Sequence, residues 1–323
     1  MSMNEIELIA RLIPSLASNA SVVVGAGDDC AVLDFLLPSH HLLFKTDAIV
    51  EGIHFTREAD PEKIGHKALA RCLSDVAAMA GTPTHALITL GLPGDFSADF
   101  VEAIYRGLNK LAARFGVAIV GGETTANPER LLISVCVLGT VPKDQCVLRS
   151  GAKVGDGIFV TGTLGGSLAG KHLEFDPRLI EARWLVEHFD IHAMMDISDG
   201  LATDLRRLLQ ASQVGADLLA TAIPISRAAR AAARNISDGQ ETGNQSRKAR
   251  KTPLQAALTD GEDFELLFTL PSREAVPMID AWKKRFPGLP LTCIGKITAG
   301  PGLHIKNKAG MRPVTEHGYV HFA

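Results

Sequence analysis

Acidic residues recur in this sequence where an apolar run gives way to a glycine turn: Asp28 and Asp29 in GAGDDC, Asp47 in KTDAIVEG, Glu123 in GGETT, Asp196 and Asp199 in DISDG, Glu262 and Asp263 in DGEDFE. One such acid alone reads as an Asx turn or a helix cap. As a set they point to hard-cation chemistry. Carboxylates gathered at strand ends repel one another unless cations lie among them, and oxygen donors of this type suit Mg2+ held by a few carboxylates, water and a substrate phosphate. No His/Cys spacing supports zinc. Glycines beside the acids leave room for backbone amides to approach phosphate oxygens.

Asp75 is the odd member. In KALARCLSDVAAMA it falls on the helical stripe of Ile64, Ala68, Cys72 and Met79, where an uncompensated carboxylate costs several kcal/mol. Metal ions at one edge of that apolar face would match its charge. A second glycine cluster, GGSLAGKH at residues 165–172, fits the phosphate-loop pattern up to its last position, where His172 stands in place of Ser or Thr. A glycine turn packing a helix against a strand is the plainer reading of it.

The elements that must position these residues are legible from caps and periodicity. Asn4 opens a helix with Ile6, Ile9, Leu12 and Ile13 on one side, and SVVVGAGDDCAVLDF reads as strand, turn, strand. HLLFKTDAIV is a strand, and Asp60 with Pro61 caps the helix that holds Asp75. HALITLGL, VAIVGG and LLISVCVLGTV are strands, with an amphipathic helix from Ser97 to Gly116 among them. The turn-rich PKDQCVLRSGAKVGD separates two domains, 1–145 and 146–323. In the second, DGIFVTG, AMMDIS, DFELLFTL and LTCIGKIT are strands, while RLIEARWLVEHF, DGLATDLRRLLQAS and REAVPMIDAWKKRF are helices. Residues 234–253 lack apolar periodicity and read as a flexible loop, whose Arg247, Lys248, Arg250 and Lys251 are solvated charges.

At 323 residues, 46% apolar and 21% charged, the chain has the composition of a globular protein large enough for two domains. A formal charge of -3 gives no long-range pull toward nucleic acid or an anionic membrane. Scattered cysteines without a CxxC pair, no signal-peptide pattern and no run long enough to span a membrane lead to the expectation of a cytoplasmic protein.

In order, GAGDDCAVL, TDAIVEGIHF, KALARCLSDVAAMA, IVGGETT, LRSGAKVGD, VTGTLGGSLAG, DISDGL and DGEDFELLF resemble the motif series of the thiamine-monophosphate kinase family, within the aminoimidazole ribonucleotide synthetase-like superfamily. The resemblance runs from about residue 5 to the end. It implies an α+β (mixed α/β) fold of two domains, N-terminal strands forming a dimer barrel and a C-terminal α/β domain, hence a homodimer. It implies ATP as co-substrate and several Mg2+ ions, held by Asp29, Thr46, Asp47, Asp75, Glu123, Asp196 and Asp199. Tyr105, Gly122, Glu123, Arg149 and Ser198 fall at nucleotide positions; His54, Glu262 and Tyr319 fall where the family holds thiamine monophosphate. No residue is assigned as a general base, because the acceptor phosphate is already anionic.

Three residues depart from the family pattern. Glu123 replaces an aspartate, Lys45 stands where a small hydroxyl residue is common, and Asp260 replaces a glycine, which strains the backbone if φ there is positive. The function implied is transfer of the γ-phosphoryl group of ATP to thiamine monophosphate. The alternatives are a superfamily relative with another acceptor (selenophosphate synthetase, aminoimidazole ribonucleotide synthetase or hydrogenase-maturation dehydratase) and a silent nucleotide- or metal-binding module.

Overall fold

A computed structural model describes residues 21–25, 27–35, 37–234 and 251–319. The helix expected after Asn4 and residues 235–250 of the expected loop lie outside the described residues. The chain divides into two compact units: one takes the described residues up to Val147 together with His172–Glu187, the other takes Leu148–Lys171 and the described residues from His188 onward.

The first unit is built on a six-stranded sheet in the order β1 (Val22–Val24), β2 (Ala31–Leu33), β3 (His40–Val50), β6 (Leu132–Pro142), β4 (Thr82–Leu92), β5 (Ala118–Ala126). It is antiparallel except for the parallel pair β4 and β5. Helix α1 (Pro61–Ala78) begins where the sequence says it should: the Asp60 side chain accepts from the Glu62 amide at 2.9 Å and Pro61 occupies the first turn. Ser97 caps α2 (Ala98–Phe115) in the same way, and Gly116 ends it in the left-handed conformation, φ 70°. The one-face pattern understates α1. From Ala68 to Ala78 every residue except Arg71 is buried, because the sheet lies against one side of the helix and α2 against another.

Two glycines set the approach of those helices. A Cβ at Gly107 would lie 1.8 Å from the Glu62 carbonyl oxygen, and one at Gly65 would lie 2.0 Å from that of Ile104. The segment His172–Glu187, with most of α3 (Lys171–Glu174) and α4 (Leu179–His188), is tied to this unit by polar contacts. His66 Nε2 donates to the Phe175 carbonyl at 2.8 Å, Lys63 pairs with Glu174 at 2.9 Å, and Arg114 pairs with Asp176.

The second unit carries a seven-stranded mixed sheet ordered β13 (Gly310–Pro313), β12 (Gly302–Asn307), β9 (Gly215–Leu219), β11 (Leu291–Thr298), β7 (Asp156–Thr161), β10 (Leu266–Pro271), β8 (Ala193–Asp196). The pairing is antiparallel except between β9 and β12. The central strands β7 and β10 are buried on both faces. On one face α5 (Leu201–Ser212) packs Leu201, Leu205 and Leu208 into a core with Ile158, Val160, Met195 and Leu267. Alternation sends Phe159 and Phe268 to the opposite face, where they stack with centroids 5.6 Å apart. Three short helices complete the unit: α6 (Arg227–Arg234), α7 (Pro253–Thr259) and α8 (Ala275–Arg285). No described helix is long and apolar enough to cross a membrane.

The helix crossing yields a stability prediction. In Gly107→Ala, better helix propensity favours the variant by about 1 kcal/mol, whereas overpacking costs about 1–3 kcal/mol. With a main-chain oxygen 1.8 Å away the clash wins. Thermal denaturation will show a lower midpoint for Gly107→Ala, against a near-neutral Gly94→Ala control, where nothing lies within 4 Å of the added carbon. Equal midpoints would contradict the crossing.

Candidate functional site

Alternation along β3 puts Leu43, Lys45, Asp47 and Ile49 on the face toward α1, and Phe44 and Thr46 on the open face. Asp75, in the last turn of α1, is 7% exposed. Its charge is met by Lys45, whose Nζ lies 3.1 Å from Asp75 Oδ2. One turn earlier on the helix, Arg71 Nε lies 3.1 Å from Asp47 Oδ2. The counter-charge that the sequence analysis assigned to metal ions is therefore supplied in the chain itself by basic residues that the motifs did not reveal. Burial works to lower the Lys45 pKa, but the charges of Asp75 and Asp47 outweigh it and hold the ammonium above its ordinary range. Burial also pushes the neighbouring Cys30 thiol well up, with Asp75 adding to the effect, so that thiol is inert.

Asp29 is 1% exposed, and one of its carboxylate oxygens lies within 4.8 Å of one from Asp75. Two buried carboxylates this close form a hard-oxygen donor set that a single Mg2+ can bridge with waters completing its shell. The residues of this unit fit that ion. Thr46 does not share the face: its exposed hydroxyl donates to the Val135 carbonyl at 3.2 Å. Gly122 and Glu123 lie on β5, separated from β3 by β6 and β4, so about 14 Å from it at ordinary strand spacing. Glu123 is exposed there and accepts from the Thr124 amide. Gly122 has to be glycine, since its Cβ would lie 1.8 Å from the Ile88 oxygen at φ 155°. Tyr105, on α2, is half-buried, and burial raises its phenol pKa.

His54 closes a turn after β3. Its Nδ1 accepts from the Val50 amide at 3.0 Å, so that nitrogen is unprotonated and a neutral ring carries its proton on Nε2. Its carbonyl accepts from Lys67 at 2.6 Å. Lys67, buried at 0% exposure, also reaches His172 Nδ1 at 2.7 Å. Sequence reasoning missed Lys67; the signal available was a lysine inside a stretch of α1 that is otherwise small and apolar.

The second unit gathers another group. Asp196 ends β8 at 3% exposure. In the turn after it, the Ser198 carbonyl accepts from the Glu262 amide at 2.6 Å and the Asp199 carbonyl accepts from the Tyr319 amide at 3.0 Å. Gly318 permits this approach, since a Cβ there would sit 1.7 Å from the Asp199 oxygen. Asp196, Ser198, Asp199, Glu262 and Tyr319 are thus brought to one end of the sheet. Arg207 donates to Asp199 at 2.5 Å and to Asp204 at 2.9 Å. Burial, then the Asp199 charge, raises the pKa of the fully buried Asp204, another residue the motifs left unmarked. Arg149, half-buried, contributes its carbonyl to Ser212 Oγ at 3.0 Å.

The backbone at 260–264 differs from the expectation attached to Asp260. Asp260 is right-handed, φ -73°, and carries no strain. The positive φ values fall on Gly261, Glu262 at 55° and Phe264 at 49°. Left-handed Glu262, at a candidate substrate position, and left-handed Phe264 are the strained residues of this loop.

GGSLAGKH is not an open phosphate cradle. The Gly165 amide donates to both Asp263 oxygens at 3.0 Å and the Gly166 amide donates to Asp260 at 2.9 Å. Ser167 donates to Asp263 at 2.6 Å, and Lys171 pairs with buried Glu265 at 2.8 Å. The chain's own carboxylates take the donors that a phosphate would need.

Asp263 gives this loop a pH dependence. Burial raises its pKa to about 6, above the unfolded carboxyl range. The folded state therefore binds more protons between about pH 4 and pH 6, and the contribution is fully present below that window and lost as pH rises through it. Asp263→Asn should remove the loss. Chemical denaturation should show its stability relative to wild type rising by on the order of 2 kcal/mol from pH 4 to pH 7; a constant difference would contradict the assignment.

Residues 27–141 match the family described as AIR synthase related protein, N-terminal domain, and residues 153–306 match its C-terminal domain. Over 309 residues, 93% of this chain and 92% of the relative, the sequence is 38% identical to the thiamine-monophosphate kinase of Rhodopirellula baltica. It is 35% identical to that of Salmonella typhimurium over 100% of this chain and 99% of the relative. A solved structure described as AaThiL complexed with AMPPCP and TMP superposes with a TM-score of 0.79 at 31% identity, covering 99% of this chain and 97% of that one. The ordered carboxylate motifs, two mixed-sheet units and end-to-end similarity lead to one statement: the chain belongs to the thiamine-monophosphate kinase family of AIR synthase related proteins.

Proposed function

We propose that the chain transfers the γ-phosphoryl group of ATP to thiamine monophosphate, forming thiamine diphosphate and ADP. The observation that carries the reading is the buried Asp29 and Asp75 pair, two carboxylates within 4.8 Å on a chain that matches thiamine-monophosphate kinases along its whole length. Two carboxylates held this close in buried surroundings need positive charge nearby, which Lys45 gives Asp75 here and a divalent cation would give to both. Mg2+, when bound, supplies charge neutralisation for the polyphosphate. Asp29, Asp47 and Asp75 of the first unit and Asp196 and Asp199 of the second are the proposed ligands, and Thr46 would offer its main-chain oxygen, since its hydroxyl lies on the other face of β3.

The acceptor oxygen is anionic near neutral pH, so the protein's task is positioning and suppression of repulsion between two phosphates. Arg149, Tyr105, Gly122 and Ser198 are proposed to hold the nucleotide, and His54, Glu262 and Tyr319 the thiamine phosphate. For His54 the support is its Nε2 proton, which can donate to phosphate. For Glu262 and Tyr319 it is their main-chain attachment to the turn carrying Ser198 and Asp199.

The chain is proposed to work as a homodimer in the cytoplasm. The open face of the first sheet exposes Phe44, Leu87, Val120 and Leu138 at 45%, 46%, 59% and 37%. Phe44 and Leu138 are register partners on adjacent strands, and an exposed apolar face of this kind is suited to a second copy. Glu123, on the same sheet's exposed edge strand, would then act near the dimer interface. Five free cysteines suit a reducing compartment.

Incubation with ATP, Mg2+ and thiamine monophosphate should yield thiamine diphosphate, resolved by chromatography. Asp75→Asn should cut turnover by about 1,000-fold or more while the circular dichroism spectrum stays that of wild type. Normal turnover by the folded variant would remove Asp75 from the scheme, and ADP without thiamine diphosphate would mean a different acceptor.

A further inference from the structure

Lys45 occupies one of the two carboxylate oxygens that Asp75 could offer a cation. Its Nζ is 3.1 Å from Asp75 Oδ2, its side chain is a quarter exposed, and Asp47 lies two residues along the same face of β3. A magnesium–oxygen bond is about 2.0–2.1 Å long, so an ion on that carboxylate and an ammonium at 3.1 Å would be crowded cations with few solvent dipoles between them. Lysine is the side chain for such an exchange: one charge on a flexible four-carbon stem, with no fixed fork to disengage.

We propose that Lys45 and the divalent cation are alternative counter-charges for Asp75, so that metal binding requires the Lys45–Asp75 pair to open. This rests on the reading above in assigning Asp75 to metal, and adds that Lys45 sets the affinity for it. Without the ion Lys45 balances and aims Asp75; when the ion enters, the ammonium withdraws toward solvent. Lys45 thereby weakens cation binding and prevents Asp75 from being stranded as a buried, uncompensated charge when the ion leaves.

The test is a calorimetric titration of nucleotide-free full-length protein with Mg2+, repeated with Mn2+ by electron paramagnetic resonance, on wild type, Lys45→Thr and Lys45→Met. Removing an ion pair that binding must break should tighten cation affinity by about tenfold in both variants. Equal or weaker affinity overturns the proposal. A second measurement needs only wild type: acetylation of Lys45, quantified by mass spectrometry, should rise when Mg2+ is added, and unchanged or reduced labelling overturns it. No ATP or thiamine monophosphate is present, so a chain with another acceptor would still show both effects. Absence of any cation binding would remove the metal assignment itself and the proposal with it, whereas binding of equal strength in wild type and variants would remove only the role of Lys45.

Discussion

The structure depends on matching buried negative charge with positive charge from the chain itself. An aspartate at the inner edge of α1 is tolerable only with a counter-ion, since an isolated carboxylate in such surroundings would lose its proton-free form. Lys45 supplies that charge to Asp75, Arg71 to Asp47, and Arg207 to Asp199 and Asp204. These pairs are poor evidence of net stabilisation, because desolvating both partners costs about as much as their attraction returns. Their consequence is conformational. Each acid is held at a defined place by a basic side chain, so the positions of these carboxylates are fixed by the chain itself.

Backbone approach is the second constraint, and it explains where the glycines had to be. Gly122 lets β5 pass the Ile88 carbonyl, Gly318 lets the chain end pass Asp199, and the Gly65 and Gly107 pair brings α1 and α2 together. In the second unit the same logic extends to strain. Glu262 holds a left-handed conformation because its amide is fixed on the Ser198 carbonyl at 2.6 Å, tying loop 260–264 to the turn of Ser198 and Asp199. Strain of this kind costs about 1–3 kcal/mol and persists only where surrounding contacts over-determine it.

Local signals in the sequence carried most of the fold. Asp60 with Pro61, Ser97 and Gly116 mark helix ends that the structure realises with those residues in those roles. Short strands were less legible: β9 and β13 hold five and four residues, too few to show a clear alternation, and β9 pairs with β11 and β12, both distant in sequence. Helix α7 was legible in principle, since Thr252 and Gln255 form a capping box around Pro253, but the polar run before it drew the loop boundary over that signal. That His172–Glu187 associates with the first unit could not be read, because periodicity reports that a face is buried and not against what. The acids of the site were legible from their turns. Their basic partners were not, because whether Lys45 reaches Asp75 depends on how β3 lies against α1, a tertiary fact.

The choice of base at each acid separates framework from exchange. Arg207 is a planar fork shared between Asp199 and the fully buried Asp204, and leaving it would strand a carboxylate with no access to water. Arg71 adds a long contact to the Ala48 carbonyl, 3.4 Å, to its pairing with Asp47. Each arginine thus ties two groups at once through its guanidinium. Asp75 is paired with an ammonium on a flexible stem, and a carboxylate oxygen of Asp29 lies within 4.8 Å of one of its own. Where these two buried carboxylates of the first unit come together, the counter-charge is therefore a flexible side chain, an arrangement that suits the exchange proposed above for Lys45.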